Sequence, residues 1–295
     1  MKFEGCLTAM VTPFDENLEV DYDGLRQNVR FQIENDISGL VPLGTTGESP
    51  TIHEDEREQI ISAVIDEANG KVPIIIGTGT NSTEKTIQHT RQAKDLGADA
   101  ALIVSPYYNK PTQEGLYWHF KAVNDAVDMP IIVYNIQGRT GVNIETPTLL
   151  RISELENVAG VKEASGSISQ MMDVISQLPK DFIVLSGDDN MTLPLIALGG
   201  RGVISVVSNL FPRMVSDMVG FALNRELDKA RDLHYILMPI FKGAFIETNP
   251  IPIKAAMTLA GMPAGKCRLP LCDMSQQNLG KLKDVLNKYQ EIKVA

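Results

Sequence analysis

The stretch VAGVKEASGSISQMMDVISQLPKDFIVLSGDDNMTLPLIALGGRGVISVVS, residues 158–208, decides the fold. Three apolar, β-branched runs, Val158–Ala164, Phe182–Gly187 and Gly202–Ser208, stand in it at strand length, with helix-length segments between them. The runs are continuous rather than alternating, so both faces of each strand are to be buried, the pattern of a parallel sheet covered by helices. Gly199-Gly200 stops the last intervening helix just before a strand.

The same unit repeats toward the N-terminus. Cys6–Thr12, Gly39–Gly44, Val72–Gly79, Ala100–Pro106 and Pro130–Asn135 read as further strands, which brings the number to eight. Between two of them, His53–Asn69 puts Ile60, Ile61, Val64, Ile65 and Ala68 on one helical face and Glu54, Glu56, Arg57 and Glu58 on another. Eight strand–helix units predict an α/β protein with a closed (β/α)8 TIM barrel over residues 1–224. From Asn224 onward the strands stop. Glu226–Phe245, Ile251–Gly261 and Ser275–Glu291 read as the helices of a C-terminal helical domain, residues 225–295, punctuated by Asn249-Pro250 and Leu269-Pro270.

Composition sets bounds on function. A chain of 295 residues that is 43% hydrophobic and 22% charged can bury a large core and is neither disordered, collagen-like nor a coiled coil. Its 37 acidic and 27 basic residues give a net charge of −10, and no run of five Lys/Arg occurs, which argues against nucleic acid or an anionic membrane as the partner. No segment approaches the ~20 apolar residues of a membrane span and the start lacks a signal-peptide pattern, so a cytoplasmic location is expected. Cys6, Cys267 and Cys272 have no C-x-x-C spacing and read as small core or surface thiols. His53, His89, His119 and His234 are scattered, so no metal site is expected. Neither G-x-G-x-x-G nor G-x-x-x-x-G-K-S/T is present, and no cofactor is expected.

In such a barrel the chemistry sits at the C-terminal ends of the strands. There the second strand ends in Gly44-Thr45-Thr46-Gly47-Glu48, two hydroxyls in a tight turn running toward a helix, where backbone N–H groups and the helix dipole favour an anion such as a carboxylate. A helix cap is the other reading of these threonines. The fourth and fifth strands end in tyrosines, in Ser105-Pro-Tyr107-Tyr108-Asn109 and Tyr134-Asn135, each of which also reads as a half-buried ring with its hydroxyl at the wet edge. In the sixth, Lys162 lies inside an apolar run. Burial disfavours its ammonium form and frees an amine that can attack a carbonyl to form a Schiff base. The alternative is an ion pair with Glu163, but adjacent strand residues point to opposite faces, which turns Glu163 toward the surrounding helices.

Gly44-Thr-Thr-Gly-Glu48, Ser105-Pro-Tyr-Tyr-Asn109, Tyr134-Asn135 with Arg139-Thr-Gly141, Val161-Lys-Glu-Ala164, Ser186-Gly-Asp-Asp189, Gly202-Val-Ile-Ser205 and Asn249-Pro-Ile-Pro-Ile-Lys254 occur in this order. Together they resemble, over essentially the whole chain, the dihydrodipicolinate synthase family of the class I pyruvate-dependent aldolases. The resemblance implies a (β/α)8 barrel with a helical extension that condenses pyruvate with L-aspartate 4-semialdehyde on the diaminopimelate route to lysine. It implies that Lys162 forms the imine with pyruvate, and that Tyr134 is the acid/base, linked through Thr45 to Tyr108 from a neighbouring subunit of a homotetramer or dimer. Thr46, with backbone amides of its turn including Gly47, is to hold the pyruvate carboxylate, Arg139 that of the semialdehyde, and the Ile204 carbonyl is to lie near the lysine. The hydroxyl relay and nearby positive charge are expected to lower the pKa of Tyr134.

Two departures stand out. The family usually has a proline near Gln137, which bears on how Arg139 is presented. Where lysine-inhibited members carry histidines and a glutamate for the effector, Glu54, Arg57 and Lys85 stand here, although Asn81 and Tyr107 match; weak or absent inhibition by lysine is expected. The alternatives are another class I aldolase acting on sialic or ketodeoxy sugar acids, and a catalytically silent barrel.

Overall fold

A computed structural model describes residues 2–290. The strands β1 (Gly5–Ala9), β2 (Gly39–Val41), β3 (Ile75–Gly77), β4 (Ala100–Val104), β5 (Ile131–Asn135), β6 (Val158–Glu163), β7 (Ile183–Ser186) and β8 (Gly202–Ser205) form one parallel sheet in the order β2-β1-β8-β7-β6-β5-β4-β3. A bridge between Leu40 and Ile74, with the Gly77 N–H on the Pro42 carbonyl at 3.0 Å, brings β3 back to β2 and closes the barrel. The closure needs glycine at 77, where a Cβ would meet the Leu43 carbonyl oxygen at 2.1 Å. The expected TIM barrel is the fold.

Around the strands lie α1 (Tyr22–Glu34), α2 (Glu54–Ala68), α3 (Thr83–Asp95), α4 (Gln113–Ala126), α5 (Gln137–Thr140), α6 (Thr146–Ser153), α7 (Ile168–Gln177), α8 (Thr192–Ala197) and α9 (Pro212–Leu223). Their starts follow local chemistry: the side chains of Asp21, Thr112 and Ser167 accept the backbone N–H of Gly24, Gly115 and Gln170. The alternation of strand side chains makes two cores. Leu7, Val41, Ile75, Leu102, Leu185 and Ile204 fill the barrel, while their neighbours Cys6, Leu40, Ile76 and Val203 pack outward on the helices.

Each strand is shorter than its apolar run. β2 ends at Val41 rather than Gly44, and β8 at Ser205 rather than Ser208. The overhanging residues, Leu43 and Val207 among them, are buried under the loops, so hydrophobicity reads on past the last ladder bond. A second correction concerns α2. Ile60, Ile61, Val64 and Ala68 are buried as expected, but Glu56 and Arg57, expected to face outward, are buried too. Arg268 gives Glu56 two bonds of 2.6 and 2.7 Å, and Arg57 donates to the Gly77 carbonyl. Such partners, distant along the chain, are invisible to helical periodicity.

After the barrel come α10 (Leu227–Gly243), α11 (Ile251–Leu259) and α12 (Gln276–Gln290); the expected helix end at Glu291 lies outside the described residues. Cys6 is buried, Cys267 half-buried and Cys272 exposed, all as free thiols. Among the described residues no helix is long and apolar enough to cross a membrane.

Candidate active site

Strand register brings the two central residues together. Tyr134 on β5 and Lys162 on β6 are direct neighbours across the ladder and both point into the barrel, so the lysine Nζ stands 4.2 Å from the centroid of the tyrosine ring. Gly187, after β7, leaves room for it: a Cβ there would come within 3.2 Å of Lys162 Cε. One residue further, Asn135 and Glu163 are also register partners but point outward. The Glu163 carboxylate accepts from Asn135 Nδ2 and Gln170 Nε2, both at 3.2 Å, and from the Ser165 N–H at 2.7 Å. Glu163 is therefore engaged on the helix side and is no partner for Lys162.

Lys162 is 5% exposed. Burial pulls its pKa down to about 8, with Arg139 acting in the same direction and Asp188 and Asp189 offsetting part of the shift. A lysine in this position holds a useful fraction of free amine near neutrality. Tyr134 behaves differently from the expectation. Burial pushes its hydroxyl well above the usual tyrosine range, Asp188 adds to the shift, and Arg139 and the Thr45 hydroxyl pull it back without overcoming the desolvation. The resting site therefore holds a protonated phenol beside a weakened lysine base.

The Gly44–Glu48 turn lies beside them. Thr46 is buried, and its Oγ1 accepts from Asn249 Nδ2 at 3.0 Å. The turn is closed by the Gly47 N–H on the Gly44 carbonyl (3.1 Å) and the Glu48 N–H on the Thr45 carbonyl (3.2 Å). Gly47 thus spends its N–H on the turn, a correction to its expected place among the anion-binding amides. The turn does not lead straight into a helix either: Glu48 takes a left-handed φ of 54°, a 3-10 turn follows over Ser49–Thr51, and α2 begins only after His53. Neither a helix dipole nor helix capping explains the two threonines.

Glu48 is held in that conformation by a buried ion pair. Its carboxylate accepts from Lys254 Nζ on α11 at 2.8 Å and from the Arg268 N–H at 2.9 Å. Lys254 also donates to the carbonyls of Thr12 (3.0 Å) and Lys266 (2.7 Å), and Thr12 Oγ1 donates to the Gly47 carbonyl at 2.8 Å. On the same rim, α5 carries the exposed Arg139, whose guanidinium donates to the Asn249 carbonyl at 3.0 Å. With no proline there, Gln137 opens α5 and reaches the Ser165 carbonyl at 3.4 Å.

Lys162, Tyr134, Thr45, Thr46 and Arg139 gather at one end of the barrel, and Ile204 lies in the inner core with Tyr134. Tyr108 does not join them within one chain: it is 88% exposed with φ of 73°. Asp188, Asp189, Asn249 and Lys254 went without a role in the sequence reading. Asp189 anchors the end of β8 by accepting from Ser205 Oγ and the N–H groups of Val206 and Val207. The available signal was the adjacent acidic pair after an apolar strand and a lysine within α11's otherwise apolar start. Among the described residues no group of three or more His, Cys, Asp or Glu is placed to hold a metal ion.

The model of the dihydrodipicolinate synthetase family matches residues 2–289. A protein of Protochlamydia amoebophila named 4-hydroxy-tetrahydrodipicolinate synthase is 54% identical over 294 residues, 99% of this chain and 98% of that one. A protein of the same name from Methanocaldococcus jannaschii is 50% identical, over 96% and 98% of the two chains. The crystal structure of dihydrodipicolinate synthase from Thermotoga maritima superposes with a TM-score of 0.96 at 46% identity, covering 98% of this chain and 99% of that one.

Proposed function

The chain belongs to the dihydrodipicolinate synthetase family, and from that premise we propose how its residues perform the 4-hydroxy-tetrahydrodipicolinate synthase reaction. It is a Schiff-base-forming lyase that joins pyruvate to L-aspartate 4-semialdehyde. The observation that carries the reading is the register pairing of a desolvated Lys162 with Tyr134.

The free amine of Lys162 attacks the pyruvate ketone. The carbinolamine must lose its hydroxyl as water, and the protonated Tyr134 is suited to donate that proton. The phenolate so formed, beside the iminium and Arg139, then accepts a proton from the pyruvate methyl group. The iminium drains the resulting charge into an enamine, whose carbon attacks the aldehyde; the new alkoxide takes back the proton that Tyr134 has just accepted, and attack of the semialdehyde's own amino group on the regenerated iminium carbon closes the ring and expels the Lys162 amine. Tyr134 thus acts first as acid and then as base, which reconciles its raised pKa with both duties. Thr46 and the amides of Thr45 and Thr46 hold the pyruvate carboxylate, and Arg139, open to solvent at the rim, meets the carboxylate of the semialdehyde. Ile204 supplies a carbonyl near the lysine.

The exposed Tyr108 is assigned to the site of a neighbouring subunit, where it extends the relay through Thr45; the assembly is a homotetramer built as a dimer of dimers, with the dimer as the smallest complete unit. The protein works in the cytoplasm and, with Arg57 turned onto the Gly77 carbonyl and Lys85 beside Glu54, responds weakly or not at all to lysine. Assaying condensation of pyruvate with the semialdehyde beside cleavage of sialic acid and ketodeoxygluconate tests the assignment. Condensation is expected to dominate; preferred cleavage of either sugar acid would make the protein another aldolase of the class.

A further inference from the structure

Asn249 lies in the segment that leads into α11 and crosses the rim of the barrel. It is 4% exposed and touches both groups assigned above to substrate carboxylates: its side-chain Nδ2 donates to Thr46 Oγ1, and its backbone carbonyl accepts from Arg139, each at 3.0 Å. The segment is fixed at a second point, because Lys254, in the first turns of α11, is bonded to Glu48 at the end of the turn that carries Thr46.

We propose that Asn249 is a positioning residue that sets pyruvate affinity through Thr46. A hydroxyl has one proton and accepting lone pairs. With the asparagine N–H occupying the accepting side of Thr46 Oγ1, the hydroxyl proton is left to point at an anion. The Oδ1 of the same amide is buried without a hydrogen-bond partner among the described residues, so the contact with Thr46 is the side-chain bond by which Asn249 acts on the site. The Arg139 contact is to the backbone, so side-chain substitution separates the two effects: it disturbs Thr46 and leaves the guanidinium its carbonyl.

The inference rests on the reading of Lys162 and Thr46 above, and the test separates the two. In the full-length enzyme, Asn249→Ala is expected to raise the KM for pyruvate about tenfold, roughly 1.4 kcal/mol, and to move that for the semialdehyde by less than about twofold. Asn249→Asp, nearer in shape, is expected to do worse than alanine, by about a hundredfold in pyruvate KM near pH 8, because it turns a donor into a charged acceptor beside an anion site. Its deficit relative to wild type should shrink as the pH falls and the carboxyl becomes a donor. In a Thr46→Val background, Asn249→Ala should add nothing further. A merely structural role gives the opposite order, aspartate better than alanine, and that order, or an unchanged pyruvate KM, or equal rises for both substrates, overturns the proposal. Borohydride trapping with pyruvate completes it. If wild type gains no adduct at Lys162, the functional reading fails; if wild type is trapped and both variants trap with the same pyruvate dependence, the role of Asn249 alone fails.

Discussion

Lys162 and Lys254 are both buried, and each holds its Nζ 4.2 Å from the centroid of an aromatic ring, Tyr134 for the first and Phe14 for the second. Burial pulls down the pKa of both. The difference lies in their partners. Lys254 spends its three donors on Glu48 and two carbonyls, with the Glu48 charge offsetting part of the desolvation, so its amine is engaged as a structural link. Lys162 has carboxylates only in its neighbourhood, and one of them, Asp189, is taken by Ser205 and two backbone N–H groups. The same side chain is a fastener where its charge is matched and, in the mechanism proposed above, a nucleophile where it is not.

The sharpest way to break the comparison is substitution of each lysine by methionine. Lys162→Met should lose at least about ten-thousandfold in turnover, a loss typical of removing a nucleophile. It should not lose stability. A lysine with a folded pKa of about 8 against 10.5 unfolded binds fewer protons in the native state between those values, so its cost is fully present below about pH 8 and fades as pH rises toward the unfolded value. The variant should therefore melt at or above wild type at neutral pH, with the gain shrinking in alkali; a lower melting temperature at pH 7 would make Lys162 structural after all.

Lys254→Met should show the reverse pattern. Leaving Glu48 as an unpaired buried charge costs about 3–5 kcal/mol, read from urea unfolding, and adding Glu48→Gln should restore part of it, so that the double variant loses less than the sum. Next in size, Tyr134→Phe should reduce kcat by about a hundredfold and slow borohydride trapping of pyruvate on Lys162 in step, the adduct still forming on long incubation, since the ring and its burial remain and the proton that expels water from the carbinolamine is lost. The smallest effect is that of pH: the rate of imine formation should rise about tenfold between about pH 7 and pH 9 and then level off, as the Lys162 amine is freed. A flat profile would mean that the amine is free throughout or that another step limits.

The same contrast explains what the sequence discloses. The eight strands were legible because barrel strands are buried on both faces and stand out as continuous apolar runs, and Lys162 was legible because a lysine interrupts one of them. The opposite orientation of Glu163 followed from the two-residue period of a strand. Lys254 was not legible as a partner of Glu48, because ion pairing between segments so far apart leaves no periodic trace; nor was the inward turn of Glu56 and Arg57, which local amphipathicity places on the wet side. The pKa of Tyr134 departs from what its motif suggests for a related reason. The motif shows the hydroxyls and cations that lower it, while the depth of burial that outweighs them depends on the whole barrel.

In the proposed mechanism Lys162 presents its amine to pyruvate, whereas the amine of Lys254 is tied to Glu48 and two carbonyls. Reduction of the protein with borohydride in the presence of pyruvate, followed by peptide mapping, tests this directly. One adduct, on the peptide bearing Lys162 and none on that bearing Lys254, is the expected result; no adduct, or labelling of Lys254 or of surface lysines in its place, would contradict it.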